Sequence, residues 1–191
     1  MKTVNGIGIN NEKYQTSRNG KLTKEYSAWR NMLYRCYKTQ EKQATYQGCT
    51  TSDDFKYYHI FYEWYKDQIG SDQENFDLDK DLLFKNNKIY SKDTCILLPA
   101  EINGMLTNRK RFRGDYPQGV HYYKRDNCFR AQMNVYRKRT HLGYFSDIES
   151  AFACYKLKKE SYVKDIAGEY KDQIDQRAYI ALLNYNVEIT D

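Results

Sequence analysis

The chain has 191 residues, of which 40% are hydrophobic, 16% aromatic and 29% charged, with a formal net charge of +6. That length allows one domain or two small ones, and twenty tyrosines supply core material with polar tips. Two prolines and ten glycines exclude a disordered linker protein, and neither a membrane-length apolar run nor a signal-peptide core in MKTVNGIGINN is present, so a cytoplasmic protein with no membrane partner is expected.

In chain order, Tyr26, Trp29, Leu33 and Tyr37 fall at helical spacing and predict a helix over 24–38. Phe55, Tyr58, Phe61, Tyr62, Trp64 and Tyr65 predict a second over 53–69, ended by Gly70. Such aromatic stripes read as core. Residues 76–83 alternate weakly as a strand, and Lys85–Lys88 reads as a turn. Ile89 and Tyr90 begin a second strand, interrupted or prolonged through Cys95 to Leu98. Pro99 suits the first turn of a helix through Ile102 and Met105.

Three short β-like runs follow. Val120 and Tyr122 alternate with His121, Tyr123 and Arg125. Phe129, Ala131, Met133 and Val135 alternate with Arg130, Gln132, Asn134 and Tyr136. Leu142 and Tyr144 are set against Arg139 and His141. Successive strand side chains point to opposite faces, so one face should be apolar and the other polar and basic. Asp126-Asn127 and Arg137-Lys138 mark the turns. A helix carrying Ile148, Ala151, Phe152, Tyr155, Tyr162 and Ile166 should then cover the apolar face and leave the basic one bare. A last helix is expected over 170–185, with Val187–Ile189 as a short strand or packed tail.

Charge is local. Residues 109–143 contain ten Lys or Arg and two Asp, a net +8, so the rest of the chain carries −2. A concentrated excess suits a phosphate-binding footprint, and a basic sheet face suits a DNA groove. The five cysteines stand singly at 36, 49, 95, 128 and 154, with no CxxC pair. They read as free thiols, and no zinc is expected.

The order Gly119-Val120, Phe129-x-Ala131, Leu142-Gly143-Tyr144-Phe145, Ala151-Phe152 and Tyr155 resembles the apetala/ethylene-response-factor DNA-binding domain, over about a quarter of the chain. That resemblance implies a sheet laid into the major groove of double-stranded DNA. His121 and Tyr123 stand where plant members place arginines, and Phe129 stands where tryptophan is usual, so base preference does not carry over. Upstream, Trp29, Met32, Leu33, Arg35, Cys36, Tyr37, Tyr46, Gly48, Asp79, Lys80, Tyr90, Cys95 and Asn103 resemble a phage-associated branch of the HNH homing endonucleases. The implied fold is α+β: an HNH-like ββα finger with helical decoration, then a three-stranded antiparallel sheet packed on one helix. The implied domains are 1–110, 111–168 and a C-terminal helix and tail over 169–191.

By position in that family, Asp79 and Asn103 would hold Mg²⁺, Asp81 would be a third oxygen donor, and Lys80 stands where the base is usual. An HNH site needs an imidazole to deprotonate water, and none of His59, His121 and His141 lies in the finger. The first expectation is therefore a DNA-binding protein on a nuclease scaffold, with Mg²⁺ only if the finger is active. The alternatives are an active Mg²⁺-dependent endonuclease and an inhibitor of a host nuclease or defence complex, acting in the host cytoplasm if phage-encoded. The expected DNA-contacting residues are His121, Tyr123, Arg125, Arg130, Gln132, Asn134, Tyr136, Arg139 and His141.

Overall fold

The computed structural model describes residues 3–40, 43–107, 115–136 and 138–191. The fold is mixed α+β, with five helices and four small sheets among the described residues. The chain divides into two compact units: residues up to Asn103 with Asp172–Ala178, and Gly104–Lys171 with Tyr179–Asp191. The expected boundary at 110 lies outside the described residues. The C-terminal segment, expected to stand apart, is shared between the units.

In the first unit a hairpin of β1 (Ser17–Arg18) and β2 (Lys21–Leu22) leads into α1 (Lys24–Tyr37). Thr23 caps α1 by accepting from the Tyr26 amide at 3.3 Å. Trp29, Met32, Leu33 and Cys36 form its buried stripe at i, i+3, i+4 and i+7. The helix expected over 53–69 is broken. Asp54–Lys56 is a 3-10 turn, Tyr57 is extended, and α2 spans Tyr58–Asp67. The break has a cause: the Ile9 amide donates to the Lys56 carbonyl at 2.8 Å and the Tyr58 amide to the Ile9 carbonyl at 2.9 Å. Those bonds take backbone groups that a continuous helix would use. Trp29 Nε1 donates to the Phe55 carbonyl at 2.8 Å, joining α1 to this turn inside an aromatic core with Tyr58 and Phe61.

The expected strand over 76–83 stops early. β4 is Phe76–Asp79, because the Asp79 carboxylate accepts from the Asp81 and Leu82 amides and turns the chain. β4 pairs antiparallel with β6 (Ile96–Pro99), and α3 (Ala100–Leu106) follows at once. Between them β5 (Ile89–Tyr90) pairs in parallel with β3 (Thr50–Thr51). The order strand, turn, strand, helix is present, with β6 rather than β5 as the partner of β4.

In the second unit β7 (Val120–Tyr123), β8 (Cys128–Val135) and β9 (Lys138–Phe145) form a three-stranded antiparallel sheet. Helix α4 (Ile148–Glu169) starts at Asp147, whose carboxylate accepts from the Ser150 amide at 2.7 Å. It lays Ala151, Phe152 and Tyr155 on Val120, Ala131 and Met133, with Phe129, Val135, Leu142 and Phe145 packed around them. The last helix is shorter than expected, α5 being Gln176–Leu183. Val187 packs as a tail residue, fully buried in the sheet–helix core.

Candidate functional site

Register places the polar side chains of the sheet in rows. His121 pairs with Arg130 and Arg130 with Tyr144, a row crossing all three strands. Gln132 opposite His141 and Asn134 opposite Arg139 make two further rows. These residues lie on the face opposite Val120, Ala131 and Met133, as the alternation requires. Asn134, Arg139 and His141 are exposed; His121, Tyr123, Arg130 and Gln132 are half-buried.

Tyr144 corrects the sequence expectation, which put it on the apolar face with Leu142. Ala131 pairs with Gly143 and Gln132 with His141, so Leu142 is an extra residue in β9. This bulge shifts the parity of everything after it. Leu142 and Phe145 pack on the core, and Tyr144 turns outward, 52% exposed. The available signal was the glycine: Gly inside a strand pattern marks a bulge.

The outward rings are close together. His141 and Tyr144 have centroids 4.5 Å apart, and Tyr123 and Tyr144 5.6 Å apart. The guanidinium of Arg130 lies 5.6 Å from the Tyr123 centroid and that of Arg125 5.3 Å from it. Arg125 also grips Asp126 through Nε at 2.8 Å and a terminal nitrogen at 3.2 Å. Arg130 Nε is buried with no hydrogen-bond partner among the described residues. Burial, with Arg130 and Arg139 nearby, holds the His121 imidazole below its usual pKa.

Tyr136 leaves this face. Its φ of +45° at the turn sends the side chain the other way, so its ring meets Tyr162 edge-on at 5.5 Å and its hydroxyl donates to Glu169. Of the expected set, the other eight side chains belong to the outer face or its β7–β8 turn. Much of the local positive charge, from Arg109 to Arg113 and at Arg137, lies outside the described residues.

The acidic turn after β4 is built as a lock. Asp79 Oδ1 accepts from the Asp81 amide at 2.9 Å and the Leu82 amide at 2.8 Å. Burial pushes the Asp79 carboxyl above its usual pKa, against those two bonds. Lys80 is buried; its ammonium donates to Asp81 and, at 2.7 Å, to the Asn87 carbonyl. Asn87 returns a bond from Nδ2 to the Lys80 carbonyl at 2.9 Å. Nearby, the Thr94 hydroxyl donates to the Ile89 carbonyl at 2.6 Å. Asn103 is half-buried on α3.

The described residues hold no group of three or more His, Cys, Asp or Glu placed to share a metal ion. Of the two carboxylates expected to serve Mg²⁺, one caps a turn and the other holds an ammonium. One oxygen of each carboxylate is taken in that turn, Asp79 Oδ1 by the two amides and Asp81 Oδ1 by the Lys80 ammonium. All five cysteines are free, and burial pushes the thiols of Cys36 and Cys95 up to about 12. No helix among the described residues is long and apolar enough to cross a membrane.

Comparison with protein-family models, curated proteins and solved structures finds no match to this chain.

Proposed function

We propose that this chain is a double-stranded DNA-binding protein, built as an HNH-like module joined to a groove-reading sheet, and that it works through binding. One observation carries the reading. The face of the sheet turned away from its core holds His121, Arg130, Gln132, Asn134, Arg139 and His141 in register, a set of donors and cations on a surface of strand width. Arg, Gln and Asn are the side chains that read base edges in a major groove, and arginines also neutralise phosphate. The net +8 of residues 109–143 supports the same partner.

Nuclease action is the lesser reading. It asks Asp79, Lys80 and Asp81 to act on water or metal, whereas the Lys80 ammonium and one oxygen of each carboxylate already hold the turn. The deciding experiment incubates the full chain with supercoiled and linear duplex DNA, with Mg²⁺ or Mn²⁺, and measures binding and cleavage together. Binding without cleavage is the expected result. No duplex binding at low salt overturns the proposal. Cleavage that Asp79→Asn abolishes would reinstate the endonuclease.

A further inference from the structure

We infer that Tyr123, His141 and Tyr144 form a stacking platform for an unpaired nucleobase, so that this face favours DNA with single-stranded or locally opened bases over fully paired duplex. The inference rests on the DNA-binding reading and extends it from paired duplex to DNA with unpaired bases.

Tyr144 is 52% exposed on the polar side of the sheet, where it adds nothing to the core. It is there because of the bulge at Leu142; regular pairing would have turned it inward. His141 lies 4.5 Å from it and Tyr123 5.6 Å, so three rings from two strands form one patch. An outward aromatic patch in water is unfavourable by itself, and its value lies in what it contacts.

Charge selects the contact. Arg130 and Arg125 flank the Tyr123 ring at 5.6 and 5.3 Å, and Arg139 pairs with Asn134 in the row beyond Gln132 and His141. Cations beside an aromatic patch match a partner that has both phosphates and π-faces, which is a nucleic acid strand. A fully stacked duplex shows only base edges and sugar–phosphate in its grooves and hides its ring faces. An unpaired base offers its face, and the aromatic platform then gives its full interaction. The cations hold either form, so duplex affinity remains beneath the preference.

The test measures anisotropy of the full chain with three labelled DNAs of one sequence: a single strand, a matched duplex, and a duplex with a central unpaired bulge. A 2-aminopurine placed at the unpaired position reports stacking by loss of fluorescence. The single strand and the bulged duplex should bind more tightly than the matched duplex, with 2-aminopurine quenched. Tyr144→Leu should weaken binding of both by about 5–150-fold and relieve the quenching, and should weaken matched-duplex binding by a smaller factor. Tyr144→Phe, which keeps the ring, should restore both. Equal losses on all three DNAs, or no quenching, overturn the platform while leaving duplex binding standing. Failure of the parent to bind any of the three overturns the DNA-binding reading itself.

Discussion

A Cβ placed on Gly119 would lie 2.0 Å from Cδ2 of Tyr155, and Gly119 has φ +81°. The entry to β7 therefore passes against the ring of a residue on α4 at a distance only hydrogen permits. The Gly119 carbonyl also accepts from the Gln132 amide at 2.9 Å, so this residue cannot retreat without loosening the sheet. Backbone strain and overpacking act together here. We expect Gly119→Ala to cost at least about 2 kcal/mol. A melt of the variant matching the parent would mean that Tyr155 can move aside.

Arg130→Ala and Arg139→Ala test the polar face. If each arginine neutralises one phosphate, each loss should lower the slope of log affinity against log salt by about 0.9. If Arg130 instead contacts a base edge, the loss should be about 1–3 kcal/mol and differ between DNA sequences. Unchanged affinity in a folded double variant removes the face from consideration.

Asp79 separates scaffold from chemistry. Asp79→Ala leaves two amides without their acceptor and should destabilise the first unit by about 1–3 kcal/mol. Asp79→Asn keeps an acceptor and should cost less. The raised folded pKa fixes the pH dependence. This group's contribution is whole below its unfolded value and is lost as pH rises through the folded one. The Asn variant should therefore gain on the parent as pH rises through that range. Denaturant midpoints at several pH values check this, and an unchanging gap counts against a buried carboxylate.

Lys159 lies 5% exposed on α4 and donates to the Met105 carbonyl at 2.6 Å. Burial pushes its ammonium down to about 8 from an ordinary 10.5. The unfolded chain therefore takes up this proton first, so the stabilising contribution is whole above 10.5 and is lost as pH falls through 8. Relative to Lys159→Met, the parent should gain stability between those values, by at most about 3 kcal/mol. Equal differences at pH 7 and 10.5 would show the ammonium to be solvated.

Much of this was legible in the chain, for reasons that can be named. The alternation from Phe129 to Val135 and the stripe from Trp29 to Cys36 repeat at the period of their elements, so local pattern reports burial. Tyr144 was misplaced because one inserted residue reverses every later side chain, and β9 alone does not say where the partner strand slips. The break at Tyr57 was invisible because its cause is Ile9, far away in sequence. Tyr136 escaped because a turn φ outweighed strand parity. The lock at Asp79–Lys80–Asp81 was found as a motif, but its hydrogen bonds depend on Asn87 and on two backbone amides, which sequence spacing does not reveal.

The parallel ladder between β3 and β5 has a kinetic consequence. Thr50 donates to the Lys88 carbonyl and Ser52 to the Tyr90 carbonyl, each at 2.8 Å. Making those two bonds closes a loop of about forty residues, at an entropic cost of about 3 kcal/mol. Helices α1 and α2 need no such closure, so their amides should gain protection from hydrogen exchange earlier in refolding. The Thr50 and Ser52 amides then act as a clock for the last step, in which the two halves of the first unit's chain meet.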